Sequence, residues 1–179
     1  MDLLELDKKR VMHIDTSCKL YERKNTGIAY KMIRSNEHKG LCLSLKLKKE
    51  LERDLKINRD YARIYAICIY LLIKDDLDKF DILVICGDED IKLVKKYLNF
   101  LFSKDKTYYE KEIISVYELR KITGNKKLRS YANNISNSYR KRAFKSLIRK
   151  QEGIPLNVLP INYKILKEKW SEIEYNEKV

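Results

Sequence analysis

A chain of 179 residues, 44% hydrophobic and 36% charged, is sized for one core and carries enough apolar surface to build it. Five glycines provide neither a GxGxxG dinucleotide loop nor a GxxxxGK[ST] phosphate cradle, and two histidines argue against multi-histidine zinc sites and a Ser/His/Asp triad. The net charge of +13 favours a polyanionic partner, and it is local: 11 basic residues and no acidic one lie between Arg120 and Lys150, leaving the remainder close to neutral.

Cys18, Cys42, Cys68 and Cys86 form no CxxC pair, and the last three sit in apolar runs where a thiol acts as a small hydrophobe, so a reducing cytoplasm is expected. The first ten residues hold no apolar leader. The longest apolar run, Tyr61 to Ile73, contains Arg63 and is too short to span a bilayer, so neither secretion nor a membrane role is expected.

In chain order, Val11, Met12 and Ile14 run into Asp15-Thr16-Ser17-Cys18, a polar turn follows, and Gly27 to Ile33 returns as the second half of a β-hairpin. Leu41, Leu43, Leu45 and Leu47 alternate with Cys42, Ser44 and Lys46, which predicts a third antiparallel strand. Lys48 to Lys56 favours a charged helix. Asn58 then offers an N-cap for a helix whose apolar residues Tyr61, Ile64, Tyr65, Cys68, Leu71 and Leu72 recur at helical spacing. Phe80 to Cys86 suits a central strand covered on both faces, and a helix is expected from Glu89 to Phe102. Glu112 to Tyr117 reads as a fifth strand. After the break at Thr123-Gly124-Asn125, Lys126 to Lys150 reads as a long basic helix turning Leu128, Tyr131, Ala132, Ile135, Tyr139 and Leu147 inward. Gly153 and Pro155 end it, dividing a domain over 1–152 from a C-terminal appendage over 153–179.

Three strands, helix, strand, helix, strand, helix is the element order of the ribonuclease H fold, and the residues resemble that family from about Val11 to Lys150. Asp15-Thr16-Ser17-Cys18 is similar to its D-G-S-C box, Asn58-Arg59-Asp60 to its N-R-x-E helix start, and Asp88 falls where its S-T-D-S aspartate stands. The resemblance implies an α/β fold with a ribonuclease H-like five-stranded mixed sheet, three antiparallel strands then parallel additions, flanked by helices. It also implies catalytic, metal-holding carboxylates at Asp15, Asp60 and Asp88. The strict position of the second carboxylate holds Tyr61, so Glu50 or Asp54 stand as alternatives to Asp60. The fourth acidic position aligns with Asn133 or Asn134, whose amide oxygen would be a neutral ligand.

Phosphodiester hydrolysis of this kind uses two divalent cations roughly 4 Å apart, and hard oxygen donors select Mg2+ or Mn2+. Asp15, Asp60 and Asp88 would have to converge from separate elements. Each also fits a local role, Asp60 and Asp88 as helix caps and Asp15 in an Asx turn. Arg129, Arg140, Lys141, Lys145 and Arg149 are the phosphate contacts expected of the basic segment, and Ser17 and Asn58 could reach 2′-hydroxyls. The expected function is metal-dependent hydrolysis of the RNA strand of an RNA/DNA hybrid or related duplex. The competing expectation is a non-catalytic nucleic-acid-binding module built on the basic helix 126–150.

Overall fold

A computed structural model describes residues 8–35, 37–55, 60–86, 89–142 and 157–178. Strands β1 (Val11–Thr16), β2 (Thr26–Met32) and β3 (His38–Leu43) pair antiparallel, and β4 (Ile82–Ile85) and β5 (Glu112–Ser115) add in parallel beyond β1. The sheet order is β3-β2-β1-β4-β5, an open mixed sheet flanked by helices. The helices are α1 (Leu45–Leu55), α2 (Tyr61–Ile73), α3 (Ile91–Leu101), the single turn α4 (Lys106–Tyr109), α5 (Val116–Thr123), α6 (Asn133–Arg142) and α7 (Tyr163–Lys178).

Every residue of β1 is buried, because side chains alternate between two covered faces. Met12 and Ile14, with Tyr30, Leu83 and Ile85 beside them, face the main core under α2, α3 and α7. Val11, with Ile82, Val84 and Ile114, faces a smaller apolar cluster closed by Val116 and Leu119 of α5. His13 and Asp15 point to that same second face, where β1 crosses from apolar packing into the polar end of the sheet.

Next to Asp15 the second face is floored by small residues, with Lys31 and His38 farther along it. Register sets Asp15 beside Ala29 and Ala29 beside Gly40, with Gly27 two residues along β2. Helix α6 lies directly on this floor: a Cβ at Gly27 would stand 2.1 Å from the Ser136 carbonyl oxygen, and one at Gly40 would stand 2.6 Å from the Tyr139 ring. The Tyr139 hydroxyl donates to the Asn157 carbonyl at 3.1 Å, and Leu159 N–H donates to the Gly40 carbonyl at 2.8 Å, so residues 157–159 run along the outer edge of β3.

Three predicted boundaries move, each for a hydrogen-bonding reason. Leu45 and Leu47 belong to α1 rather than to a strand, since Leu45 N–H donates to Asn25 Oδ1 at 2.7 Å and Leu47 N–H to Ser44 Oγ at 3.1 Å. Val116 and Tyr117 open α5, where Ser115 and Glu118 form a reciprocal capping box. Residues 126–132 are not helical: Lys127 N–H donates to Asn125 Oδ1, Ala132 N–H to Ser130 Oγ, and Tyr131 N–H to His13 Nδ1. Of the expected 126–150 helix, the described part is Asn133–Arg142. Tyr131 is exposed, against the expectation that it faces inward. Helix α7 buries Leu166, Trp170 and Ile173 in the main core, so the described part of the C-terminal segment is packed onto the fold.

Beside β2 lies a buried ionic cluster. Asp76 accepts from the Tyr30 hydroxyl at 2.9 Å and pairs with Lys39 at 3.1 Å and Lys79 at 2.9 Å. Burial pushes this carboxyl up, but the three donors outweigh it and hold it below the usual range. Its contribution is complete above the unfolded value of about 3.9 and is lost as pH falls through the lower folded value. Asp76→Asn is expected to cost about 2 kcal/mol at neutral pH and to flatten the acid loss of stability below about pH 4. Urea midpoints across that range check this, and a parental acid slope in the variant would count against it. In the second face, Gly27→Ala drives a methyl into the α6 backbone and should cost about 2 kcal/mol or more in urea unfolding.

Candidate functional site

Strands β1 and β4 run parallel and end side by side, a position at which open α/β sheets form a crevice. Asp15 is the penultimate residue of β1 and Cys86 follows β4, and their side chains share the second face. A cleft of about 380 Å³ opens over them. Ser17, Cys18, Lys19 and Glu22 of the β1–β2 loop form one wall; Val116 and Arg120 of α5, then Arg129, Ser130 and Asn133, form the other.

Asp15 is only 4% exposed, and its Oδ1 accepts from Thr16 N–H at 2.8 Å. The wall around it is fixed by backbone bonds. Ser17 N–H donates to the Gly27 carbonyl and Gly27 N–H donates to Ser17 Oγ, both at 2.8 Å. Behind the loop, the buried Lys48 ammonium donates to the carbonyls of Leu20 and Glu22 and to Thr26 Oγ1. Burial lowers the pKa of Lys48, with the nearby thiol of Cys18 and the carboxylates of Glu52 and Glu22 opposing that shift. On the opposite wall, Arg120 Nε donates to the Leu128 carbonyl at 2.8 Å, tying α5 to the loop that carries Arg129.

The expected site residues are thus divided. Asp15 and Asn133 line one cleft together with Ser17 and Arg129. Asp60 is engaged elsewhere. Its Oδ1 accepts from Arg63 N–H as the cap of α2, while its Oδ2 accepts from the Tyr97 hydroxyl at 3.0 Å and sits 3.0 Å from Arg63 Nε. The Arg63 guanidinium in turn stacks 4.3 Å from the Trp170 ring and 5.1 Å from Tyr97 and pairs with Glu177 at 2.7 Å. Asp60 therefore positions an arginine that locks α2, α3 and α7 together, and the expectation of a shared metal pocket with Asp15 is corrected. The alternatives fare no better, since Asp54 pairs with Arg53 at 2.5 Å and neither it nor Glu50 lines the cleft. Asp88, Asn58, Lys145 and Arg149 lie outside the described residues.

Arg140, on α6, reaches the Ser17 carbonyl at 3.5 Å, so it braces the loop, and Lys141 is exposed on the same helix. Lys19, Glu22, Arg120 and Ser130 were not expected. Only the stretch of positive charge hinted at Arg120, and nothing in local spacing marks the other three. Hard oxygen donors at Asp15, Glu22 and Asn133 fit Mg2+ or Mn2+ in kind. In number they fall short of a two-ion centre, and among the described residues no group of three His, Cys, Asp or Glu side chains is gathered to hold a metal. Also among the described residues, no helix is long and apolar enough to cross a membrane.

If Asp60 works only through Arg63, Asp60→Ala and Arg63→Met should each destabilise the fold, with a coupling of about 1–2 kcal/mol in a double-mutant cycle. Additive effects in urea unfolding would disprove the pairing. Compared with known proteins, the chain matches no family model, no curated protein and no solved structure.

Proposed function

We propose that the chain is a ribonuclease H-like, metal-dependent phosphodiester hydrolase acting on RNA-containing nucleic acid, an RNA/DNA hybrid being the first substrate to test. The observation that carries this reading is the placement of Asp15. A buried carboxylate at the end of a central strand, facing a cleft whose walls carry Lys19, Arg120 and Arg129, joins an acidic centre to a cationic rim. Such a rim suits the phosphates on either side of a scissile bond, while the carboxylate suits a hard divalent ion.

The chemistry that ion supplies is activation of water and neutralisation of charge on the phosphate. The part of the chain is to bind and orient. Asp15 would hold the ion, with the Asn133 amide opposite and Asp88, two residues beyond Cys86 in sequence, as the completing carboxylate. Arg120 and Arg129 would fix the strand across the cleft. The element order and strand directions are those the ribonuclease H resemblance implies, which supports the reading at the level of fold alone.

A second reading, a binding module without catalysis, is favoured by the engagement of Asp60 with Arg63, which takes one expected carboxylate from the cleft. It needs the basic walls and no ion. Cleavage of a labelled hybrid in Mg2+ or Mn2+ separates the two. The parental chain should cut, Asp15→Asn should lose at least a hundredfold in rate, and its hybrid affinity in EDTA should be kept within about threefold. Salt-dependent binding with no metal-dependent cleavage would establish the module instead.

A further inference from the structure

Tyr131 is 51% exposed although everything around its backbone is pinned. Its N–H donates to His13 Nδ1 at 3.4 Å, and its ring stands at 86° to the imidazole with centroids 5.0 Å apart. His13 is wholly buried in β1 and forms a fixed wall behind the tyrosine. The next residue, Ala132, is also wholly buried and anchored to Ser130. An aromatic ring on a rigid support therefore stands out into solvent.

Its surroundings identify what it would meet. A second cleft, of about 530 Å³, is lined by Tyr131, Lys31 and Asn134 and shares Arg129, Ser130 and Asn133 with the cleft over Asp15. The two adjoin at those shared residues, and both Lys31 and Arg129 line the cleft that holds the tyrosine. A protein-docking anchor sits within an apolar patch that excludes water, whereas Tyr131 stands among amides, a hydroxyl and basic groups, with the half-buried Leu128 beside them. A lone aromatic face in a cationic groove is the arrangement that stacks a base while neighbouring charges hold the flanking phosphates.

We propose that Tyr131 is a stacking platform for an unpaired nucleobase, so that the strand entering the Asp15 cleft is single-stranded or bulged at that point rather than an uninterrupted duplex. This rests on the reading of the cleft as a phosphodiester site. It narrows the substrate to one whose bases are free to turn outward, since the faces of bases inside a duplex are already stacked on one another.

Binding in EDTA, without turnover, tests it. The probes are a fluorescein-labelled 12-mer of uridine, whose bases are unstacked, the same-length abasic strand, and a 12-base-pair hybrid, followed by fluorescence anisotropy. The parental chain should prefer the uridine strand to both others. Tyr131→Ala, at an exposed position, should weaken the uridine strand roughly tenfold and leave the abasic strand and the hybrid within twofold, and Tyr131→Phe should restore binding. If Tyr131→Ala changes nothing while all three probes bind in a salt-dependent way, the stacking role is overturned and the phosphodiester reading is left to the cleavage assay. If no probe binds at all, both fall.

Discussion

Helix α6 approaches the sheet more closely than any residue with a side chain at Gly27 or Gly40 would allow. At Gly27 helix backbone meets strand backbone, at Gly40 the Tyr139 ring meets strand backbone, and neither contact has room for an added methyl. Much follows from this approach. It brings Asn133, at the start of α6, to the lip of the cleft above Asp15, and it sets Arg140 against the Ser17 carbonyl. Through Tyr139 it also draws residues 157–159 to the edge of β3. A bulkier floor would lift the helix and widen the cleft until its two walls no longer faced a common ligand.

The opposite side of the sheet is held by different physics. There Arg63 is sandwiched between aromatic rings and surrounded by Asp60, Glu174 and Glu177, a buried cation whose desolvation is offset by several partners at once. The arrangement fastens the C-terminal helix to two others and consumes the carboxylate of Asp60. The ionic clusters of Arg63 and Asp76 serve the fold, and neither lines the cleft that Asp15 faces.

That cleft carries charges of both signs, and Glu22 on its wall is paired with Lys24. Arg120 is directed by a backbone carbonyl rather than by an acid, and Arg129 is exposed. A guanidinium held by a neutral carbonyl is not cancelled by a neighbouring acid, which is what the proposed phosphate contact at Arg120 requires. Tyr131 extends the same surface with a face suited to a flat, polarisable partner.

The sheet was legible in the sequence because its signals are local and periodic. The unbroken apolar run of Ile82 to Ile85, the apolar stretch of Val11, Met12 and Ile14 and the helical spacing of Tyr61 to Ile73 each state a burial pattern. Asp15 was singled out by the resemblance of Asp15-Thr16-Ser17-Cys18 to the ribonuclease H D-G-S-C box. The ends of elements were misread where side chains of distant residues satisfy the backbone, as Asn25 does for Leu45 and His13 for Tyr131, since no window along the chain contains both partners. The fate of Asp60 was hidden for the same reason. A carboxylate at a helix start is compatible with a metal or with an arginine, and only the arrival of Tyr97 and Trp170 from other helices decides between them. Composition and periodicity thus determined most of the elements and the strongly basic character, while the mixed-sheet arrangement was an expectation taken from the family resemblance. Which charged groups meet and which are used up was settled by tertiary packing, because electrostatic partnership depends on distance through space and burial rather than on separation along the chain.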